Sequence, residues 1–209
     1  MINVIIAGVG GQGTVLASKL IAYAAMERGD FVRTAETIGM AQRGGSVLGH
    51  VRILNANEVN DGTSLLSPLV PKGAADLLIG FEPGEAVRAI DFLRPGGVAV
   101  VAKQIVAPVT ATLAKTSYDG QAELDYLHSL VESKRIGKLI VVDGQEICLT
   151  CGSPRVLNVA LLGAAAASGA LGFSADLFDR AIEAQVKERF VTLNKQALRL
   201  GAAAFTDLR

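Results

Sequence analysis

The stretch Ile5-Ile6-Ala7-Gly8-Val9-Gly10-Gly11-Gln12-Gly13-Thr14 constrains the fold more than any other part of the chain. Residues 2 to 7 are an apolar run of the length of a buried strand, and Gly8, Gly10 and Gly13 follow in the order G-x-G-x-x-G. Beyond them Val15, Leu16, Leu20, Ile21, Ala24 and Ala25 recur at helical spacing until Gly29, and Phe31 to Glu36 reads as a second strand. Strand, Gly loop, helix and strand within about 35 residues is the size of a βαβ unit. In such a unit Gly8 permits the tight turn, Gly10 lets a phosphate approach the backbone, and Gly13 lets the helix pack on the sheet. The helix then begins at Thr14, and its first N–H groups and positive dipole end face an anion.

The rest of the chain repeats the pattern. A loop over 36 to 46 enters a strand at 46 to 54, and "NDG" at 60 to 62 signals a turn. "DLLIGF" reads as a strand, "EPGEAVRAIDFL" as a helix stopped by "RPGG", and "VAVVAK" as a strand. Residues 105 to 121 read as irregular or extended, "AELDYLHSLVES" as an amphipathic helix and "KLIVVDG" as a strand. From Ser153 onward only helices are expected, starting where a capping hydroxyl precedes Pro154. The expected fold class is α/β: a Rossmann-like, doubly wound, mostly parallel sheet over 1–150, with a C-terminal helical segment over 153–209, all in one 209-residue domain. With 5% aromatics and no Trp, the core must be Val, Ile, Leu and Ala, and 23 glycines suit close helix–sheet contact.

Charge excludes some functions. Lys+Arg and Asp+Glu balance at 20 each, without a basic face for nucleic acid. The apolar start lacks a basic n-region and a cleavage site and runs straight into the Gly loop, so it reads as a strand rather than a signal peptide. The Ala- and Gly-rich stretch 156–173, interrupted by Asn158, reads as a buried helix rather than a membrane span. A soluble, cytoplasmic protein is expected.

The chemistry-bearing motifs are few. An NAD enzyme carries an acidic residue at the end of the second strand, about 20 residues past the glycines, to hold the ribose. Position 33 is Arg, and Glu36 lies slightly beyond. His50 sits within an expected strand and His128 on the amphipathic helix, so neither marks a proton-transfer site. Cys148 and Cys151 form one C-x-x-C, short of the four ligands of a zinc or iron–sulfur site, and read as two unlinked thiols in a reducing compartment. "GMAQRGGSV", 39 to 47, is more telling. Arg43 supplies a fork-shaped cation, Gly44-Gly45 allow backbone N–H groups to converge on an anion, and Ser46 adds a hydroxyl. The same residues equally suit a plain turn with Arg43 tied to a carboxylate.

Taken together, "GVGGQGTVLASKLIAYAAMERG" and "TAETIGMAQRGGSVLGHVRI" resemble the gamma-type domain of 2-oxoacid:acceptor oxidoreductases, closest to its indolepyruvate-type members. "PRVLNVALLGA" (154–164) is similar to the family's Asn-containing helix, and "LNKQALRLG" (193–201) to its N-x-x-A-x-x-x-G ending. The resemblance implies oxidative decarboxylation of a 2-oxoacid with coenzyme A to an acyl-CoA, CO2 and reduced ferredoxin. It also implies that Gly8, Gly10, Gly11, Gln12, Gly13, Thr14, Glu36, Gln42, Arg43, Gly44, Gly45 and Ser46 form an anion cradle, with coenzyme A as candidate ligand. Many members of that family carry His where this chain has Ile38, so no imidazole is available there. The chain lacks the G-D-G signature of thiamine enzymes and any cysteine-rich stretch. Thiamine diphosphate, magnesium and iron–sulfur clusters are therefore expected on a partner alpha subunit, with ferredoxin as the acceptor of the complex and a homodimer when this chain is alone. No cofactor is expected to bind tightly to this chain, and neither nucleic acid nor membrane is an expected partner. The competing expectation is a free-standing NADP- or FAD-binding oxidoreductase or nucleotide sensor.

Overall fold

The computed structural model describes residues 1–39, 44–60, 67–106 and 118–206. Its strands are β1 (Ile2–Val9), β2 (Phe31–Ile38), β3 (Ser46–Leu54), β4 (Ala75–Gly80), β5 (Leu93–Ala102) and β6 (Ile136–Val142). Its helices are α1 (Thr14–Glu27), α2 (Ala56–Asn60), α3 (Pro83–Ala89), α4 (Gln121–Glu132), α5 (Gly144–Cys151), α6 (Leu157–Ala167), α7 (Ala175–Gln185) and α8 (Val191–Thr206).

The strands form one sheet in the order β2-β3-β1-β4-β5-β6. β1, β4, β5 and β6 are parallel neighbours, which explains their near-continuous apolar sequences: each is covered on both faces. On one face Val4, Ile6, Leu77, Ile79, Val100 and Ile140 pack with α1 and the C-terminal helices. On the other, Ile5, Ala7, Leu78, Ala99 and Val101 meet Ala86 and Ala89 of α3 and Leu124 and Leu127 of α4. The α/β class and mostly parallel sheet are as the sequence implies.

Three details differ from the sequence reading. β2 does not lie beside β1. β3 runs antiparallel between them, pairing Val9 with Ser46 on one side and Ile38 with Val47 on the other. A hairpin is thus inserted into the expected βαβ unit, and β2, exposed along most of its length, becomes the sheet edge. Second, Arg94-Pro95-Gly96-Gly97 does not stop a helix before the strand but belongs to β5, where Gly96 at φ +74° accompanies a register shift at Gly97/Val98. Third, helical structure resumes at Gly144 rather than at Ser153, with Asp143 accepting the Glu146 N–H at the start of α5.

α6 is buried all round, from Leu157 through Ala165. It crosses α8 at backbone contact: a Cβ on Gly163 would lie 2.0 Å from the Leu198 carbonyl oxygen, and one on Gly201 1.8 Å from that of Ala160. The N-x-x-A-x-x-x-G ending is therefore a packing motif. Ala197 is buried, and Asn194 Nδ2 donates to the Phe190 carbonyl at 2.8 Å. No helix among the described residues is long and apolar enough to cross a membrane.

Candidate functional site

The loop after β1 and the loop joining β2 to β3 meet at the carboxyl edge of the sheet, where ligands bind in this architecture. They are joined through backbone: Gly10 N–H donates to the Gly45 carbonyl at 2.8 Å, and Gly44 N–H donates to that of Gly10 at 3.3 Å. The second loop is closed at its base by Gly39 N–H on the Ser46 carbonyl, 2.9 Å. Gly10 consequently serves the second loop, and its N–H is not free for a phosphate as the sequence pattern suggested.

Each remaining residue of the first loop has a distinct task. A Cβ on Gly8 would sit 2.9 Å from Phe81 Cβ, so this position keeps β1 against the end of β4. Gln12 turns inward: its Oε1 accepts the Val9 N–H at 2.8 Å, and its Nε2 donates to the Phe81 carbonyl at 3.2 Å. Gly11, at φ +104°, has open space around it. Gly13, at φ +84°, makes room not for the sheet but for α6, because a Cβ there would lie 2.6 Å from Asn158 Nδ2, which donates to the Gly13 carbonyl at 3.4 Å. No side chain caps α1, so its N-terminus from Thr14 keeps its orphan N–H groups turned to the carboxyl edge.

A cavity of about 860 Å³ opens beside this N-terminus. Gly11 and Gly13 line one side, Gln104 and Val106 beyond β5 another, and Cys148, Leu149, Arg155 and Asn158 the third. Its wall is mainly apolar, Leu149 is 74% exposed at the rim, and the exposed Arg155 brings a cation into the lining. Such a shape suits a ligand with an anionic end and an apolar arm. A second cavity of about 240 Å³ lies by the second loop, lined by Gly44, Ser46, Glu82, Glu85, Arg88, Tyr118 and Glu123. Its three carboxylates make it the less favourable place for a phosphate.

That second cavity contains groups the sequence reading passed over. Glu82 and Glu85 are both buried. Glu82 caps α3 by accepting the Glu85 N–H at 2.9 Å, and it also accepts the Tyr118 hydroxyl. Burial pushes the Glu82 carboxyl above its usual range, with the nearby Glu85 acting in the same direction. Burial, together with the hydrogen bond to Glu82, raises the Tyr118 phenol. Glu85 accepts the Ser46 hydroxyl at 2.6 Å and pairs with Arg88. Two acidic residues directly after an apolar strand, as E-P-G-E, were the available signal. Arg155 was hidden in the helix-start pattern Ser153-Pro154, whose Ser153 Oγ accepts the Arg155 N–H.

Of the sequence candidates, Gly8, Gly10, Gly11, Gln12, Gly13, Thr14, Gly44, Gly45 and Ser46 are brought to one edge of the sheet. Gln42 and Arg43 lie outside the described residues. Glu36 is exposed on β2, opposite Gly49 of β3 and so two strand spacings, roughly 10 Å, from β1. The inserted β3 thus removes the acidic residue from the place where a dinucleotide ribose would lie. His50 is buried on β3, where Nδ1 accepts the Val70 N–H at 3.2 Å and the ring meets Phe92 edge-on. Desolvation lowers its pKa. His128 is exposed on α4. Cys148 and Cys151 are unlinked, in the last turn of α5 rather than at a helix N-terminus, and burial raises both thiols, the opposite of an activated cysteine. No group of three or more His, Cys, Asp or Glu able to hold a metal occurs among the described residues.

Residues 3–204 match the family model described as pyruvate ferredoxin/flavodoxin oxidoreductase. The chain is 36% identical over 201 residues to indolepyruvate oxidoreductase subunit IorB of Archaeoglobus fulgidus, covering 96% of this chain and 93% of that protein. It is 32% identical over 206 residues to the subunit of the same name from Pyrococcus horikoshii, with 99% and 96% covered. Among solved structures it is similar to the gamma subunit of a keto/oxoacid ferredoxin oxidoreductase from Geobacter sulfurreducens, with a TM-score of 0.67, 21% identity and 99% of each chain covered.

Proposed function

The chain belongs to the pyruvate ferredoxin/flavodoxin oxidoreductase family, and we propose that it is the accessory subunit of an indolepyruvate-type 2-oxoacid oxidoreductase, where its Gly loops help to seat coenzyme A. The observation that carries this reading is the joining of the two Gly loops into one backbone-bonded unit, beside the uncapped N-terminus of α1 and the large cavity. The α1 N–H groups and Arg155 would face the phosphates, and the apolar wall at Leu16, Leu149 and Leu157 would carry the pantetheine arm. Arg43 lies outside the described residues and is proposed as a further phosphate partner on the sequence of the second loop alone. Coenzyme A supplies the thiol that accepts the acyl group. This chain binds and orients it, and its cavity wall excludes water from the arm.

Two cysteines with raised thiols and no metal-ligand cluster among the described residues do not fit an iron–sulfur centre. No step of the electron transfer is therefore assigned to this chain. The clusters, thiamine diphosphate and magnesium are assigned to an alpha partner, and ferredoxin takes the electrons from the complex. The working compartment is the cytoplasm, and the apolar chain self-associates when the partner is missing. The test is co-expression with an alpha-type chain from the same organism, followed by assay with aryl and aliphatic 2-oxoacids. Coenzyme A-dependent reduction of ferredoxin, highest with an aryl 2-oxoacid, is expected. A complex that oxidises no 2-oxoacid would overturn the reading.

A further inference from the structure

We infer that Glu85 is a positioning residue for the Gly loops, holding the second loop through Ser46 and the first through the second. The kinetic part of the inference rests on the coenzyme A reading above, and the structural part stands without it.

Glu85 is 4% exposed, and a buried carboxylate is costly unless each oxygen is engaged. Here both are. Oε2 accepts the Ser46 hydroxyl at 2.6 Å, a short charge-assisted bond, and Oε1 meets the Arg88 guanidinium. The carboxylate is not needed to start α3, because Glu82 caps that helix and Pro83 occupies its first turn. Among the described residues, the hydrogen bond that its carboxylate makes outside α3 is to Ser46, the first residue of β3 and the last of the second loop.

Ser46 in turn governs the loop. Its carbonyl receives Gly39 N–H, and Gly45 and Gly44 beside it exchange two hydrogen bonds with Gly10. A shift of Ser46 is therefore passed to the first loop through stiff backbone rather than through side chains. Gln12 ties the first loop separately to the Phe81 carbonyl. Both loops thus hang on residues 81–85, at the junction of β4 and α3. Ser46, a candidate ligand-binding hydroxyl in the sequence, points at Glu85 and acts through loop placement.

The test uses Ser46→Ala, Glu85→Gln and Ser46→Thr in the assembled enzyme. Ser46→Ala removes only the loop-side bond. In Glu85→Gln an amide whose oxygen faces Arg88 turns its N–H2 toward the Ser46 hydroxyl, so the charge-assisted bond from Ser46 is replaced at best by a weaker neutral one. Ser46→Thr keeps the hydroxyl at a strand position that tolerates a β-branched residue. The first two are expected to speed amide exchange at Gly10 and Gly44 about ten-fold, with Ile5 and Ile79 unchanged. They are also expected to raise KM for coenzyme A about ten-fold, with kcat within about two-fold, and Ser46→Thr restores both. Unchanged exchange in Ser46→Ala overturns the inference, and faster exchange with an unchanged KM overturns its kinetic part while leaving the structural part; either leaves the subunit reading standing. A wild-type complex with no dependence on coenzyme A overturns the ligand reading instead. Exchange then decides alone: faster in Ser46→Ala supports positioning, unchanged refutes it.

Discussion

Gly13→Ala probes the joint between the first Gly loop and the C-terminal helices. The position has φ +84°, and an added Cβ would come within 2.6 Å of Asn158 Nδ2. Holding an L-residue in the left-handed region costs about 1–2 kcal/mol. Asn158 must also move, which breaks its 3.4 Å bond to the Gly13 carbonyl and adds about 1 kcal/mol. The total of about 2–3 kcal/mol corresponds to a fall in Tm of roughly 5–10 °C for a chain of this size. Calorimetry on Gly13→Ala, Asn158→Ala and the double variant separates the two contributions. With Asn158 shortened the clash disappears, so Gly13→Ala should then cost only the backbone strain, about 1–2 kcal/mol. Gly11→Ala, strained at φ +104° but facing open space, is a control without the clash. An equal cost of Gly13→Ala in both backgrounds would refute the assignment of Gly13 as the seat of Asn158.

Other outcomes follow, the first from the sequence of the second loop and the rest from the same geometry. Arg43→Ala in the assembled enzyme should raise KM for coenzyme A by about ten- to a hundredfold, the loss of one charge-assisted contact, while Tm and subunit assembly stay unchanged; the opposite pattern would make Arg43 a structural residue. Glu82 binds its proton more tightly folded than unfolded, so its contribution is full below pH 4.5 and is lost as pH rises through its raised folded value. The stability difference between wild type and Glu82→Gln should therefore shift against wild type as pH climbs above 4.5, and a pH-independent difference in urea unfolding would contradict this. His50 has the reverse sign of charge. Its lowered folded pKa means that its contribution is full above pH 6.5 and is lost as pH falls from there through the lowered folded value, so His50→Gln should weaken the acid-side loss of stability. The isolated chain should be colourless, iron-free and inactive, and near-stoichiometric iron in it would contradict the division of labour with the partner.

Much of this architecture was legible in the sequence because its signals are local. The apolar run of β1, the glycines and the helical spacing of α1 fix strand, loop and helix, and Ser153-Pro154 marked a true helix start. The insertion of β3 between β1 and β2 was not legible, since periodicity tells which residues form strands but not which strands become neighbours. The exposed residues of β2 are the trace it left, because an edge strand does not need the apolar faces of β4 or β5. The glycine pattern also misassigned tasks. Gly10 and Gly13 read as making room for phosphate and sheet, whereas the contacts that need them, Gly45 and Asn158, are distant in sequence. Glu82 and Glu85 were overlooked for a similar reason: they read as part of the helix after an apolar strand, and only their distant partners Tyr118 and Ser46 reveal the wider network.

The central claim is that this chain completes a coenzyme A-dependent 2-oxoacid oxidoreductase whose redox centres lie on its partner. It is tested most directly by the rate of ferredoxin reduction with indolepyruvate and coenzyme A, using the alpha partner alone and then titrated with this chain. Activity that is absent without the chain, rises to saturation at a fixed stoichiometry and requires coenzyme A is the expected result. Full activity of the partner alone, with the same KM for coenzyme A before and after the chain is added, would contradict it.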